Sequence, residues 1–147
     1  MKTNKIPFAF LFAASLSCLL ALSARATWTY DSSAKTLTDG NWMFTATASG
    51  DDLTLSKATA GSGVLDFTTC EADCGKRVTT VGGSLFYNNK SVTLTEFIGP
   101  DVTIVNTMAF FGTPVTRIRL SSALQQLNGN DPVGSLRSLT EFYPTVM

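Results

Sequence analysis

Two cysteines four positions apart, Cys70 and Cys74 in Cys-Glu-Ala-Asp-Cys, carry the most reactive side chains of this sequence. In an oxidising compartment such a pair closes a small disulfide loop if the backbone turns between them; otherwise it stays as two free thiols. A metal is disfavoured on ligand count, because a structural zinc takes about four ligands. The chain contains no histidine, and its third cysteine, Cys18, lies in a segment expected to be removed. The absence of histidine also excludes Ser/His/Asp and Cys/His nucleophile systems and every site built on imidazole.

The other motifs read as turns. Ser32-Ser33-Ala34-Lys35 matches the Ser-x-x-Lys of penicillin-interacting enzymes, but that chemistry needs the pair one helical turn apart, and no Ser-Asp-Asn or Lys-Thr-Gly follows. Asp51-Asp52, or Glu71 with Asp73, are the nearest pairs for glycoside hydrolysis. Both are expected in loops of a chain too small for a deep cleft. Asn128-Gly129-Asn130-Asp131 lacks the spaced ligand series and terminal Glu of a calcium loop. Gly61-Ser62-Gly63 and Gly82-Gly83 are not followed by the lysine or helix of a phosphate cradle. Asn89-Lys90-Ser91 is a glycosylation sequon, meaningful only where that machinery exists. No catalytic residue, metal or cofactor is expected.

The elements that position these residues follow from composition and periodicity. The 147 residues include eleven basic and eleven acidic side chains and are 44% hydrophobic, enough for one domain or a short solenoid. Zero formal charge offers no basic field for nucleic acid. Lys2 and Lys5, the uncharged run Ile6 to Leu22 and the ending Ala24-Arg25-Ala26 read as a signal peptide, residues 1–26, cut before Thr27. Against a transmembrane anchor stands the run's length, 17 residues interrupted by Pro7, Ser15 and Ser17; against a lipid anchor at Cys18 stands Ser15, where an aliphatic residue belongs. The expected mature protein has no membrane span, a net charge of −3 and a secreted or cell-surface location.

Residues 27–57 alternate with a period of two between turn formers such as Asp39-Gly40 and Ser49-Gly50-Asp51-Asp52, which predicts an antiparallel meander serving as a β-rich cap that hides Trp28 and Trp42. Residues 58–77, beginning with Ala-Thr-Ala-Gly-Ser-Gly, read as a flexible linker and cysteine loop. Residues 78–147 repeat. Leu94-Thr95-Glu96-Phe97 recurs as Leu139-Thr140-Glu141-Phe142, with Val115-Thr116-Arg117-Ile118 between them, giving a unit of 21 to 24 residues. A second register agrees: Val78-Thr-Thr-Val81, Val102-Thr-Ile-Val105 and Leu124-Gln-Gln-Leu127 begin 24 and 22 apart. The expected fold is mainly β, a short repeat solenoid of parallel strands behind an antiparallel hairpin cap.

The order Val102-Thr-Ile-Val105, Met108-Ala-Phe-Phe-Gly112, Val115-Thr-Arg-Ile-Arg-Leu120 resembles the BspA-like leucine-rich repeats of secreted and surface proteins. The resemblance covers about residues 78–147, with departures at Asn88 to Ser91 and at Asp131-Pro132-Val133. It implies that the solenoid is a leucine-rich-repeat solenoid of parallel coils, with a binding or adhesion role and no catalysis.

With Phe97, Ile118 and Phe142 inward, strand alternation turns Glu96, Arg117 and Glu141 outward in one row and Ile98, Arg119 and Tyr143 in another. These six are the candidate binding residues; the first row reads also as a plain salt-bridge series, and the second, with Arg119 and Tyr143, is the better candidate for partner contact. The expected function is an exported module for protein binding or adhesion. A structural fragment of a longer array is the alternative and a small secreted hydrolase the third reading. Self-association through an open C-terminal end is a further expectation.

Overall fold

The computed structural model describes residues 26–129, 131 and 140–145; the expected signal segment up to Arg25 and Pro132-Val133 lie outside the described residues. The chain is mainly β. Strands β1 (Thr29–Asp31), β2 (Thr36–Thr38), β3 (Met43–Ser49) and the first half of β4 (Asp52–Asp66) form the expected antiparallel meander. Its turns are built by side chains competing for the backbone. Asp31 Oδ1 accepts from the Ser33 and Ala34 N–H groups, and Asp39 Oδ1 accepts from those of Asn41 and Trp42. Alternation on β3 buries Phe44 and Ala46 and leaves Thr45 and Thr47 exposed.

A short helix α1 (Cys70–Cys74), ended by Gly75 in the left-handed conformation, leads into the coils. These comprise β5 (Arg77–Val81), β6 (Val92–Gly99), β7 (Ile104–Val105), β8 (Arg117–Ser121), β9 (Gln126–Leu127) and β10 (Glu141–Thr145). They wind a parallel-strand β-solenoid of about 3 turns. One parallel sheet joins β4, β5, β7 and β9; the other joins the second half of β4 to β6, β8 and β10. Both sequence registers are the structural ones, since Val81 pairs with Val105 and Val105 with Leu127, while Phe97 pairs with Ile118 and Ile118 with Phe142. The repeated threonine has a physical cause. Thr116 Oγ1 donates to the Thr95 carbonyl and Thr140 Oγ1 to that of Thr116, so each coil is clipped to the one before it. Asn106 and Asn128 add a second clip, Asn128 Nδ2 donating to Asn106 Oδ1 at 2.9 Å.

The linker expected at 58–77 is corrected. Residues 58–66 are the middle and end of β4, which passes from one sheet to the other and so needs small residues at its corner: Gly61 and Gly63 stand at φ 142° and 84°. Cap and coils share a single core, in which Trp28 and Trp42 are buried together with Phe44, Phe67, Phe97 and Phe110. Phe142, expected inside, is 36% exposed because among the described residues only β8 lies beside its strand.

The two indoles also close a sheet edge. Along the corner half of β4 the carbonyls of Ser62, Val64 and Asp66 point away from β6; they accept from Asn41 Nδ2, Trp42 Nε1 and Trp28 Nε1 at 2.9, 2.9 and 3.0 Å. An edge of unpaired carbonyls would otherwise accept a foreign strand. Trp42→Phe keeps the ring and removes the donor, and is expected to cost about 1–2 kcal/mol, measured as a lowered urea midpoint with an unchanged slope.

Candidate functional site

The outer face of β6, β8 and β10 carries Glu96, Arg117 and Glu141 in one row and Ile98 and Arg119 in a second, with Tyr143 in register at the end of the second. Glu96 stands opposite Arg117 and Arg117 opposite Glu141; Ile98 stands opposite Arg119, and Arg119 opposite Tyr143. In the first row the Arg117 guanidinium bridges both neighbours, with Nη1 3.1 Å from Glu96 Oε2 and Nε 2.5 Å from Glu141 Oε2. These bonds hold the Arg117 pKa above its ordinary value, the Glu141 hydrogen bond contributing most. Arg119 leans across from the second row, its Nε 3.6 Å from Glu96 Oε1. Glu96 therefore sits between two guanidiniums and is the least exposed of the four.

The rows extend one strand further than the sequence reading placed them. Val64 pairs with Glu96 and Asp66 with Ile98 in register, so β4 contributes a leading valine, 50% exposed, and an exposed carboxylate. The signal was obscured because the cysteine-bearing segment stretches the spacing from Val64 to Glu96 to 32 residues. Chemically the face offers planar guanidiniums, two carboxylates satisfied from within the ladder, and the apolar edges of Val64 and Ile98.

The remaining residues with chemical potential are engaged elsewhere. Asp51 pairs with Lys76, while Asp52 and Glu71 flank Arg77. Asp73 accepts from the Trp28 N–H and the Thr69 hydroxyl, tying the start of the cap to α1. Ser32 and Lys35 lie in the turn between β1 and β2. Asn89 of the sequon donates its Nδ2 to the Ala58 carbonyl at 2.5 Å, a bond that a glycan on that nitrogen would displace. Among the described residues no group of three or more His, Cys, Asp or Glu side chains is gathered for a metal, and no helix is long and apolar enough to cross a membrane.

Cys70 and Cys74 lie one helical turn apart with their sulfurs 3.8 Å from each other, and Cys74 Sγ donates to the Cys70 carbonyl. Burial pushes the Cys70 thiol well above its ordinary pKa, reinforced by the neighbouring Cys74. The half-exposed Cys74 is therefore expected to alkylate first in reduced protein, with Cys70 reacting only on unfolding; intact-mass alkylation with and without urea measures both steps. In exported protein the same measurement decides the bridge, since two labelled thiols without a reductant would exclude it.

No family model, curated protein or solved structure matches this chain.

Proposed function

We propose that this chain is an exported leucine-rich-repeat module of the BspA-like kind, which binds a protein partner or adheres to a surface through the outer face of β6, β8 and β10. The observation that carries the reading is the in-register stacking of Ile98 and Arg119 beside Glu96, Arg117 and Glu141. Parallel coils hold these side chains at fixed spacing, which is how repeat proteins build extended binding faces. In the second row, Arg119 makes a single long contact to Glu96 and Ile98 remains half-exposed, so both stay available to a partner.

The test is capture of cell-surface protein by the wild-type chain and by an Ile98→Asp/Arg119→Glu variant of equal thermal stability. Binding lost in the variant supports the face. Equal binding excludes it and favours the second reading, a structural piece of a longer array, which the mutual neutralisation of Arg117 with Glu96 and Glu141 also fits. Export is part of the proposal; mass spectrometry of exported protein beginning at Met1 rather than Thr27 would refute it. Self-association belongs to it as well, through the last coil, where Leu127 and Phe142 are 45% and 36% exposed. A sedimentation profile independent of concentration would exclude that step.

A further inference from the structure

Away from the strand face, the turn between β5 and β6 repeats in the turn between β7 and β8. Ser84 and Met108 take φ of 55° and 56°, and Asn88 and Gly112 take 53° and 78°, each pair 24 positions apart. Inside, Phe86 and Phe110 stack at 5.7 Å; outside, the next residues, Tyr87 and Phe111, meet at 5.3 Å. Tyr87 is 45% exposed and forms a wall of a groove of about 570 Å³ with Lys57 and Ser84. A second groove of about 360 Å³ runs past Lys90. Asn88 and Asn89 line both, so the two grooves share a wall.

Charge and shape coincide at this place. Lys76, Arg77, Arg117 and Arg119 all pair with carboxylates, whereas Lys35, Lys57 and Lys90 have no ion pair among the described residues; of these three, Lys57 and Lys90 line the grooves, and no carboxylate lines either groove. Two unopposed ammonium groups thus flank an exposed ring in a chain whose mature form carries an acidic excess. Asn89 buttresses the shared wall, donating its Nδ2 to the Ala58 carbonyl and accepting from the Ser91 N–H. The backbone is committed too: the N–H groups of Ser84, Phe86 and Tyr87 bond to Thr107, Ala109 and Ser84. Recognition here must run through side chains, not through strand addition.

We propose that the two grooves form one site for an acidic oligosaccharide, a chain of pyranose rings bearing sulfate or carboxylate groups. A ring lays its apolar face on Tyr87, the anionic groups of neighbouring sugars reach Lys57 and Lys90, and the Asn88 amide and Ser84 hydroxyl meet ring hydroxyls. An aromatic platform with a few convergent polar groups suits such a ligand. Nucleic acid fits less well, because two cations on an acidic chain cannot match the phosphate charge density of a strand. The site is independent of the proposed strand face, and its test does not depend on that reading.

The experiment is calorimetric titration of the mature chain with a sulfated octasaccharide, its desulfated counterpart of equal length and an oligoglutamate of equal charge. The sulfated sugar is expected to bind, more weakly as salt rises. Lys57→Gln and Lys90→Gln are each expected to weaken binding about five- to tenfold, and Tyr87→Ala at least about tenfold, while Lys35→Gln, outside both grooves, leaves it unchanged. Equal binding of the desulfated sugar, equal binding of the oligoglutamate, absence of binding, or indifference to both lysine substitutions overturns the proposal.

Discussion

Ile118→Asp is expected to unfold the coils. Ile118 is fully buried on β8, paired with Phe97 on one side and Phe142 on the other, within the one core that cap and coils share. An aspartate there leaves a charge, or a forced protonation, with no partner. An uncompensated buried charge costs about 3–5 kcal/mol, against a total stability of about 5–15 kcal/mol for a domain of this kind. The preceding residue gives the contrast. Arg117 faces outward, and Arg117→Ala removes only two surface ion pairs, so its melting temperature should stay close to the wild-type value, with the small difference shrinking in high salt. Thermal melts of both variants decide the assignment of faces. A tolerated Ile118→Asp beside a damaging Arg117→Ala would reverse it.

Those two residues also show why the coils were legible in the sequence. A parallel solenoid puts one inward side chain on each strand at a fixed interval, so Phe97, Ile118 and Phe142 print the period directly, as do Val81, Val105 and Leu127. The threonine before each outward charge repeats for the same reason, since it clips one coil to the next. The leading strand is only partly legible, as Leu65-Asp66-Phe67, an incomplete strand ahead of the cysteine-bearing segment. Val64 and Asp66 belong to the same rows, yet α1 and its flanks intervene before β6, and the interval is broken. The outer aromatic pair was hidden differently. Phe86 and Phe110 belong to the repeat as core residues, but whether Tyr87 and Phe111 project outward depends on the left-handed residues at Ser84, Asn88 and Met108, which composition does not reveal.

The Gly-Ser-Gly stretch has the composition of a flexible linker, yet it stands within β4 where that strand passes from one sheet to the other. Its reason lies 19 residues upstream in sequence. A methyl group added to Gly61 would stand 2.0 Å from Trp42 Cε3 and 2.3 Å from Cδ2, because the indole lies flat against the backbone there. That ring cannot retreat: it is 1% exposed, stacks on Phe44 at 5.9 Å and donates its N–H to the Val64 carbonyl. Gly61 also stands at φ 142°, which L side chains rarely adopt. Gly61→Ala is therefore expected to cost about 2–6 kcal/mol, combining a core overpacking of about 1–3 kcal/mol with backbone strain of about 1–3 kcal/mol. Gly63 supplies the control. It has φ 84° but nothing within 4 Å of an added methyl, so Gly63→Ala carries the strain alone, about 1–2 kcal/mol. A double variant separates clash from strain, because Gly61→Ala placed on Trp42→Leu has no ring to meet and should cost only the strain, about 1–3 kcal/mol. Urea titrations of the wild type, the three single variants and the double variant measure these differences; equal losses for Gly61→Ala and Gly63→Ala in the wild-type background would mean that Trp42 does not rest on this corner.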